Sequence, residues 1–408
     1  MKKLANNDFH PTTSNSDGLY STANGNGKHG NSNGNSNASS IDDLHKNKHS
    51  RQQRMVILAG PHKTGTSSIQ LNLYQWSKLT VNFTQFPSTL QPNPDPLIPW
   101  IWPIPTKIAE YEYNNTMYWK PSKGFYSLID ALSNQNAHPS KREVFQEYTP
   151  QEIIGMYKDA IGTYWKQGND IVWGSEAMDM IVKVPEGRSI LHKISKEILP
   201  ADIQGEQVTV VVVRRTPKIK HLISIWHQNC NRKTDPKFYE WMTTTKNTFG
   251  PIDSLGMVDM LLEETDWNIV LVNMSGVIDD LWDISYFVSC KILGEECENR
   301  IPKVMNNDGK GGALRMNVRS GQRAPNVPNK TLDELDALLY RYDCNYRHVL
   351  KNNDRLKIHY SDDLQVKINK CDALGSSNDT QNDNDYPRSR IELKKQITDI
   401  VLKHGKLD

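Results

Sequence analysis

Apolar residues follow two rhythms along this chain. Unbroken apolar runs of strand length stand at Met55–Ala59, Ile171–Trp173, Val208–Val213 (interrupted only by Thr209) and Ile269–Val272. Between them, apolar positions recur with helical spacing, as in Ile69, Leu71, Leu73 and Trp76, or Ile153, Ile154, Met156, Tyr157, Ile161, Tyr164 and Trp165. A short unbroken run marks a strand buried on both faces, and the longer rhythm marks an amphipathic helix. The spacing predicts helices from Gly65, over Pro150–Gln167, Lys218–Asn229, Met257–Glu264, Val277–Leu293 and Leu332–Leu350. Strands alternating with helices predict an α/β fold, a parallel sheet flanked by helices in a single domain. A last amphipathic helix carries Ile391, Leu393, Ile397, Ile400 and Val401, and either docks on the body or stands free. Residues 80–123 show no period. Their aromatic residues Trp100, Trp102, Tyr111, Tyr113, Tyr118 and Trp119 suit either a packed cluster or a platform for a flat acceptor.

Composition changes this picture at the ends. Residues 1–50 hold ten Asn, eight Ser and five Gly, and cannot bury enough apolar surface to offset ordering entropy. We expect a disordered tail over 1–53, an α/β domain over 54–371, a polar linker over 372–389 and the terminal helix over 390–408. The formal charge of the 408 residues is +2. The tail to Arg54 holds +3 of it, so the body sums to −1. That balance argues against nucleic acid as a partner. No run approaches the roughly 20 apolar residues of a membrane span, and no signal peptide is recognisable. On these grounds the chain reads as cytoplasmic. The five cysteines lack CxxC spacing and read as buried thiols, with Cys290 and Cys297 close enough in sequence to pair in a lumen. The Asn-x-Ser/Thr triplets headed by Asn37, Asn82, Asn114, Asn273, Asn329 and Asn378 do not establish a secretory route.

The strongest chemical signal follows the first strand. Gly60-Pro-His62-Lys63-Thr64-Gly65-Thr66-Ser67 is a tight loop opening a helix. Backbone N–H groups and the helix dipole favour an anion there. Gly60 and Gly65 permit close approach, Thr64, Thr66 and Ser67 supply hydroxyls, and Lys63 supplies charge. A nucleotide-triphosphate P-loop puts Lys directly after its second Gly. Here Thr66 takes that place, which turns the reading away from magnesium-dependent ATP hydrolysis. A second signal ends the Val208–Val213 strand: Arg214-Arg215-Thr216-Pro217, with Ser224 on the following helix.

Lys63-Thr-Gly-Thr-Ser67 resembles the 5′-phosphosulfate loop of the sulfotransferase family. "GPHKTGTSSIQ" looks most like its microbial and algal members. Arg215, two before Pro217, resembles the family's 3′-phosphate ligand. The usual spacing of eight to the partner Ser lands on Ile223, and Ser224 stands at nine. Arg214 or Arg215 is the main ligand on this pattern. Asp308-Gly-Lys310-Gly-Gly312, with Arg315 and Arg319, loosely resembles the loop that closes over the nucleotide. The resemblance covers roughly 55–350. It implies transfer of a sulfuryl group from 3′-phosphoadenosine 5′-phosphosulfate (PAPS), with no metal required, to a hydroxyl or amine acceptor. A glycan or a small molecule fits that role. It also implies a Golgi lumen as an alternative location. Lys63 is then the group that neutralises the leaving phosphate. Glu176, just past the strand Ile171–Trp173, and His62 are the candidate bases. A non-catalytic relative that binds nucleotide or glycan, and a P-loop kinase, are the alternatives.

Overall fold

The structure is a computed structural model. It describes residues 52–60, 66–81, 90–93, 96–113, 125–133, 144–179, 181, 186–229, 238–244, 253–279, 283–294, 328–351, 353–360, 371 and 389–404. The tail expected over 1–53 lies outside these residues up to Arg51, as does the linker expected over 372–389 up to Arg388.

Among the described residues the strands are β1 (Met55–Ala59), β2 (Leu79–Val81), β3 (Leu90–Pro92), β4 (Ile171–Ser175), β5 (Val208–Arg214), β6 (Asn268–Asn273) and β7 (Leu356–His359). β2 and β3 form a small antiparallel pair. The other five form one parallel sheet in the order β4-β1-β5-β6-β7. The fold is therefore α/β, with a five-stranded parallel sheet flanked by helices. Every residue of β1 and β4 is buried. This follows from a sheet covered on both faces, which has no wet side to ask for polar residues.

The main helices are α1 (Thr66–Trp76), α2 (Thr106–Tyr113), α3 (Phe125–Leu132), α4 (Pro150–Lys166), α5 (Gly187–Lys193), α6 (Lys218–Asn229), α7 (Phe238–Thr244), α8 (Ser254–Glu264), α9 (Asn329–Asp343) and α10 (Arg390–His404). α4 shows how local sequence sets a helix. Thr149 accepts from the Glu152 N–H, Glu152 accepts in return from the Thr149 N–H, and Pro150 opens the first turn. Its buried stripe is Ile153, Tyr157, Ile161 and Trp165, one residue per turn.

Two expected helices differ from what is observed, and one strand was not expected. The helix expected over Val277–Leu293 is broken, because Asp283 caps a new turn by accepting from the Ser285 and Tyr286 N–H groups. The helix expected to run to Leu350 ends at Asp343 and passes into a 3₁₀ turn, Cys344–Tyr346. β7 is a half-exposed edge strand, with Lys357 facing water, and so carries no unbroken apolar run.

The aromatic segment contributes to the core. Trp100 and Trp102 are fully buried. Trp102 meets Phe125 edge-on at 5.8 Å, and Phe125 stacks on Trp173 at 4.8 Å. These two tryptophans are therefore packing residues and not an acceptor platform. Tyr118 and Trp119 lie outside the described residues, and so do the side chains of Tyr111 and Tyr113.

A second apolar cluster joins α6, α7, α9 and α10. α10 docks on the body through Leu393 and Ile397, both fully buried there. Among the described residues, no helix is long and apolar enough to cross a membrane.

The reading of the cysteines as buried thiols is overturned for three of the five, while Cys230 and Cys297 lie outside the described residues. Cys344 and Cys371, with Cα atoms 5.7 Å apart, form a disulfide, and Cys290 is disulfide-bonded as well. Tertiary approach decides this, since the 27-residue separation of Cys344 and Cys371 gives no hint of pairing. Closing a loop of that length contributes about 3 kcal/mol through the unfolded chain. A Cys344→Ser/Cys371→Ser variant is expected to melt about 4–5 °C below the parent. Scanning calorimetry reads this, and an unchanged midpoint would count against a stabilising role for the bond.

Candidate functional site

The sheet order reverses direction once. From β1 the chain passes to β4 on one side, then to β5 on the other side of β1, and outward to β6 and β7. Open parallel sheets bind ligands at such a switch point, outside the carboxyl ends of the strands. The switch here lies between β1 and β5, the two strands that lead into the candidate anion loops.

Register brings the predicted groups to one edge. Ala59 pairs with Ser175 on one side and Val212 on the other. Gly60, which is buried, therefore stands beside Glu176, and Arg214 and Arg215 project beyond it on the neighbouring strand. α1 begins at Thr66, six residues after Gly60. Among the candidates, His62, Lys63, Thr64, Gly65 and Lys310 lie outside the described residues, together with the Asp308–Gly312 loop and the side chains of Thr66 and Ser67.

The two arginines occupy different environments. Successive residues of a strand point to opposite faces. Arg214 is buried, its guanidinium 3.5 Å from Asp343, and Asp343 also pairs with Lys218. All three groups are at most 7% exposed. Arg214 is thus held in a buried ion triad that fastens β5 to α9 and α6. Arg215 is half-buried, and no ion pair or hydrogen bond engages it among the described residues. Burial lowers its pKa from the ordinary guanidinium value. Arg remains charged at neutral pH, so the shift signals a desolvated cation that an anion would relieve.

Residues outside the sequence expectations position this edge. Thr216 Oγ1 and the Asn273 side-chain amide bond to each other at 3.0–3.2 Å, and the Ser275 hydroxyl donates to the Thr216 carbonyl. This ties the Arg215–Pro217 turn to the end of β6. It also removes Asn273 as a glycan acceptor, since its side chain is buried and engaged. Arg214, Thr216, Asn273, His359 and Tyr360 line a narrow crevice past the ends of β5, β6 and β7. Burial, and secondarily the nearby Lys357 charge, push His359 below the usual imidazole range. No motif marks these positions, because β7 is about 140 residues downstream of β5 in sequence.

Glu176 opens the 3₁₀ turn after β4 and is 4% exposed. The Tyr126 hydroxyl on α3 donates to its carboxylate at 2.8 Å. Close packing fixes its position: a Cβ on Gly174 would stand 2.4 Å from Leu58 of β1, so only glycine lets β4 approach there. Ser224 is buried on α6, on the face it shares with His221, whereas Ile223 packs into the second apolar cluster. Of the two positions the Arg spacing leaves open, Ser224 is the one that carries a hydroxyl.

Fold and site together define an α/β protein with a candidate anion-binding edge at the switch point of a parallel sheet. No protein-family model, curated protein or solved structure matches the chain.

Proposed function

We propose that this protein transfers a sulfuryl group from PAPS to a hydroxyl or amine acceptor, with a carbohydrate as the favoured class. The observation that carries the reading is the adjacency of β1 and β5. It sets Gly60, where the first loop begins, on the strand next to the one that ends in Arg215, which supports one nucleotide spanning a 5′-phosphosulfate site and a 3′-phosphate site. The loop sequence Lys63–Ser67 supports the same donor.

The reaction is an in-line displacement at sulfur. The bond from sulfur to the bridging phosphate oxygen breaks as the bond to the acceptor oxygen forms. Lys63 neutralises the charge left on the phosphate. Glu176 takes the acceptor proton. Arg215 and Ser224 hold the 3′-phosphate, while Arg214 supports the strand end from within its ion triad. No metal is required by this scheme, since a lysine supplies the charge the leaving group needs. The described disulfides favour an oxidising compartment over the cytosol.

Titration calorimetry with 3′-phosphoadenosine 5′-phosphate (PAP) and with ATP plus magnesium tests the reading. PAP is expected to bind at least tenfold more tightly. A preference for ATP with magnesium would replace it with a kinase-type reading.

A further inference from the structure

Gln70 lies one turn into α1 and is fully buried, yet among the described residues neither its amide nitrogen nor its amide oxygen has a hydrogen-bond partner. The same helix satisfies a buried amide elsewhere: Asn72 Nδ2 donates to the Ser285 hydroxyl at 2.8 Å. A buried amide left unpaired is costly, and folded proteins rarely tolerate one unless something outside the chain completes it. Changing it to an apolar residue would be the cheaper solution if only packing mattered.

Its position suggests what completes it. Residues four apart on a helix lie one above the other, and helical side chains incline toward the N-terminus. Gln70 therefore stands directly beneath Thr66, the residue that opens α1 after the loop from Gly60. An N-terminal helical turn favours an anion, and a neutral amide can donate to an oxyanion without adding charge.

We propose that Gln70 is a ligand-binding residue, its Nε2 donating to an oxygen of the sulfate or phosphate group held at the N-terminus of α1. The inference rests on the reading of the first loop as an anion site, but not on the anion being PAPS.

The test measures melting temperature and ligand affinity in the full chain for Gln70→Met, which keeps the length of the side chain, and for Gln70→Leu. Probes are PAP and inorganic sulfate. Both variants are expected to melt at or above the parent temperature, because an unsatisfied polar group is gone. Both should bind the two probes about tenfold more weakly, the loss of one hydrogen bond to a charged group. Affinities within twofold of the parent would overturn the proposal. So would melting temperatures several degrees lower in both variants, which would mean the amide is satisfied in the free protein. If the parent binds sulfate but not PAP, and the variants lose sulfate, Gln70 keeps its role and the nucleotide reading fails. A parent that binds neither probe overturns both.

Discussion

Arg215→Ala is expected to keep the stability of the parent and to lose roughly ten- to hundredfold in PAP affinity. Neighbouring arginines at one strand end should thus behave oppositely. Arg215 is half-buried and meets no carboxylate among the described residues, so its removal relieves a desolvated charge and costs the fold little. A hydrogen bond to a charged group contributes about 1.5–3 kcal/mol, which sets the scale of the lost affinity. The structural role sits one residue earlier. Asp343→Asn would leave Arg214 and Lys218 as buried like charges and is expected to cost about 3–5 kcal/mol of stability. Arg214→Ala should cost less, because Lys218 still pairs with Asp343. Denaturant unfolding and calorimetry on the same samples separate the two effects. If Arg214→Ala stays folded and loses PAP while Arg215→Ala retains it, the assignments exchange.

Glu176→Gln and Lys63→Ala should each abolish most sulfuryl transfer while PAP still binds. General-base catalysis contributes about 10²–10⁴ in rate. Gln keeps the shape of the side chain and can still accept from Tyr126, so the loss would report chemistry and not collapse. A carboxylate base makes the rate fall as pH drops through its pKa. In Glu176→Gln that acidic limb should vanish along with most of the rate. The measurement is PAP release from PAPS against pH, with algal or microbial polysaccharides offered as acceptors. An unchanged pH profile would remove Glu176 as the base. For Lys63→Ala, transfer that survives would remove the lysine from charge neutralisation.

Much of this edge is legible before folding is considered. Val208–Val213 and Met55–Ala59 read as buried strands because a fully covered sheet demands unbroken apolar runs. α6 begins at Lys218 and ends at Asn229, as its apolar spacing indicates. The loop chemistry at Gly60–Ser67 is local, so its residue types and spacing suffice to suggest an anion. Other features leave no local trace. β7 is half-exposed and too short to carry a pattern. Tyr126 reaches Glu176 from 50 residues away, and Asn273 reaches Thr216 from 57. Trp100 and Trp102 read equally well as platform or packing until their burial is seen.

Taken alone, the sequence determined the alternation of strands and helices, the near-neutral body, and the two segments proposed to grip an anion. These depend on neighbours within a few residues, where periodicity and turn chemistry operate. Tertiary structure alone decided that β1 and β5 lie side by side, which turns two separate motifs into one candidate site. It decided which arginine is buried in an ion triad, which cysteines among the described residues are bonded, and that Gln70 is buried with no partner among the described residues. Each of these depends on distances between residues far apart in the chain, and only the packed sheet sets such distances.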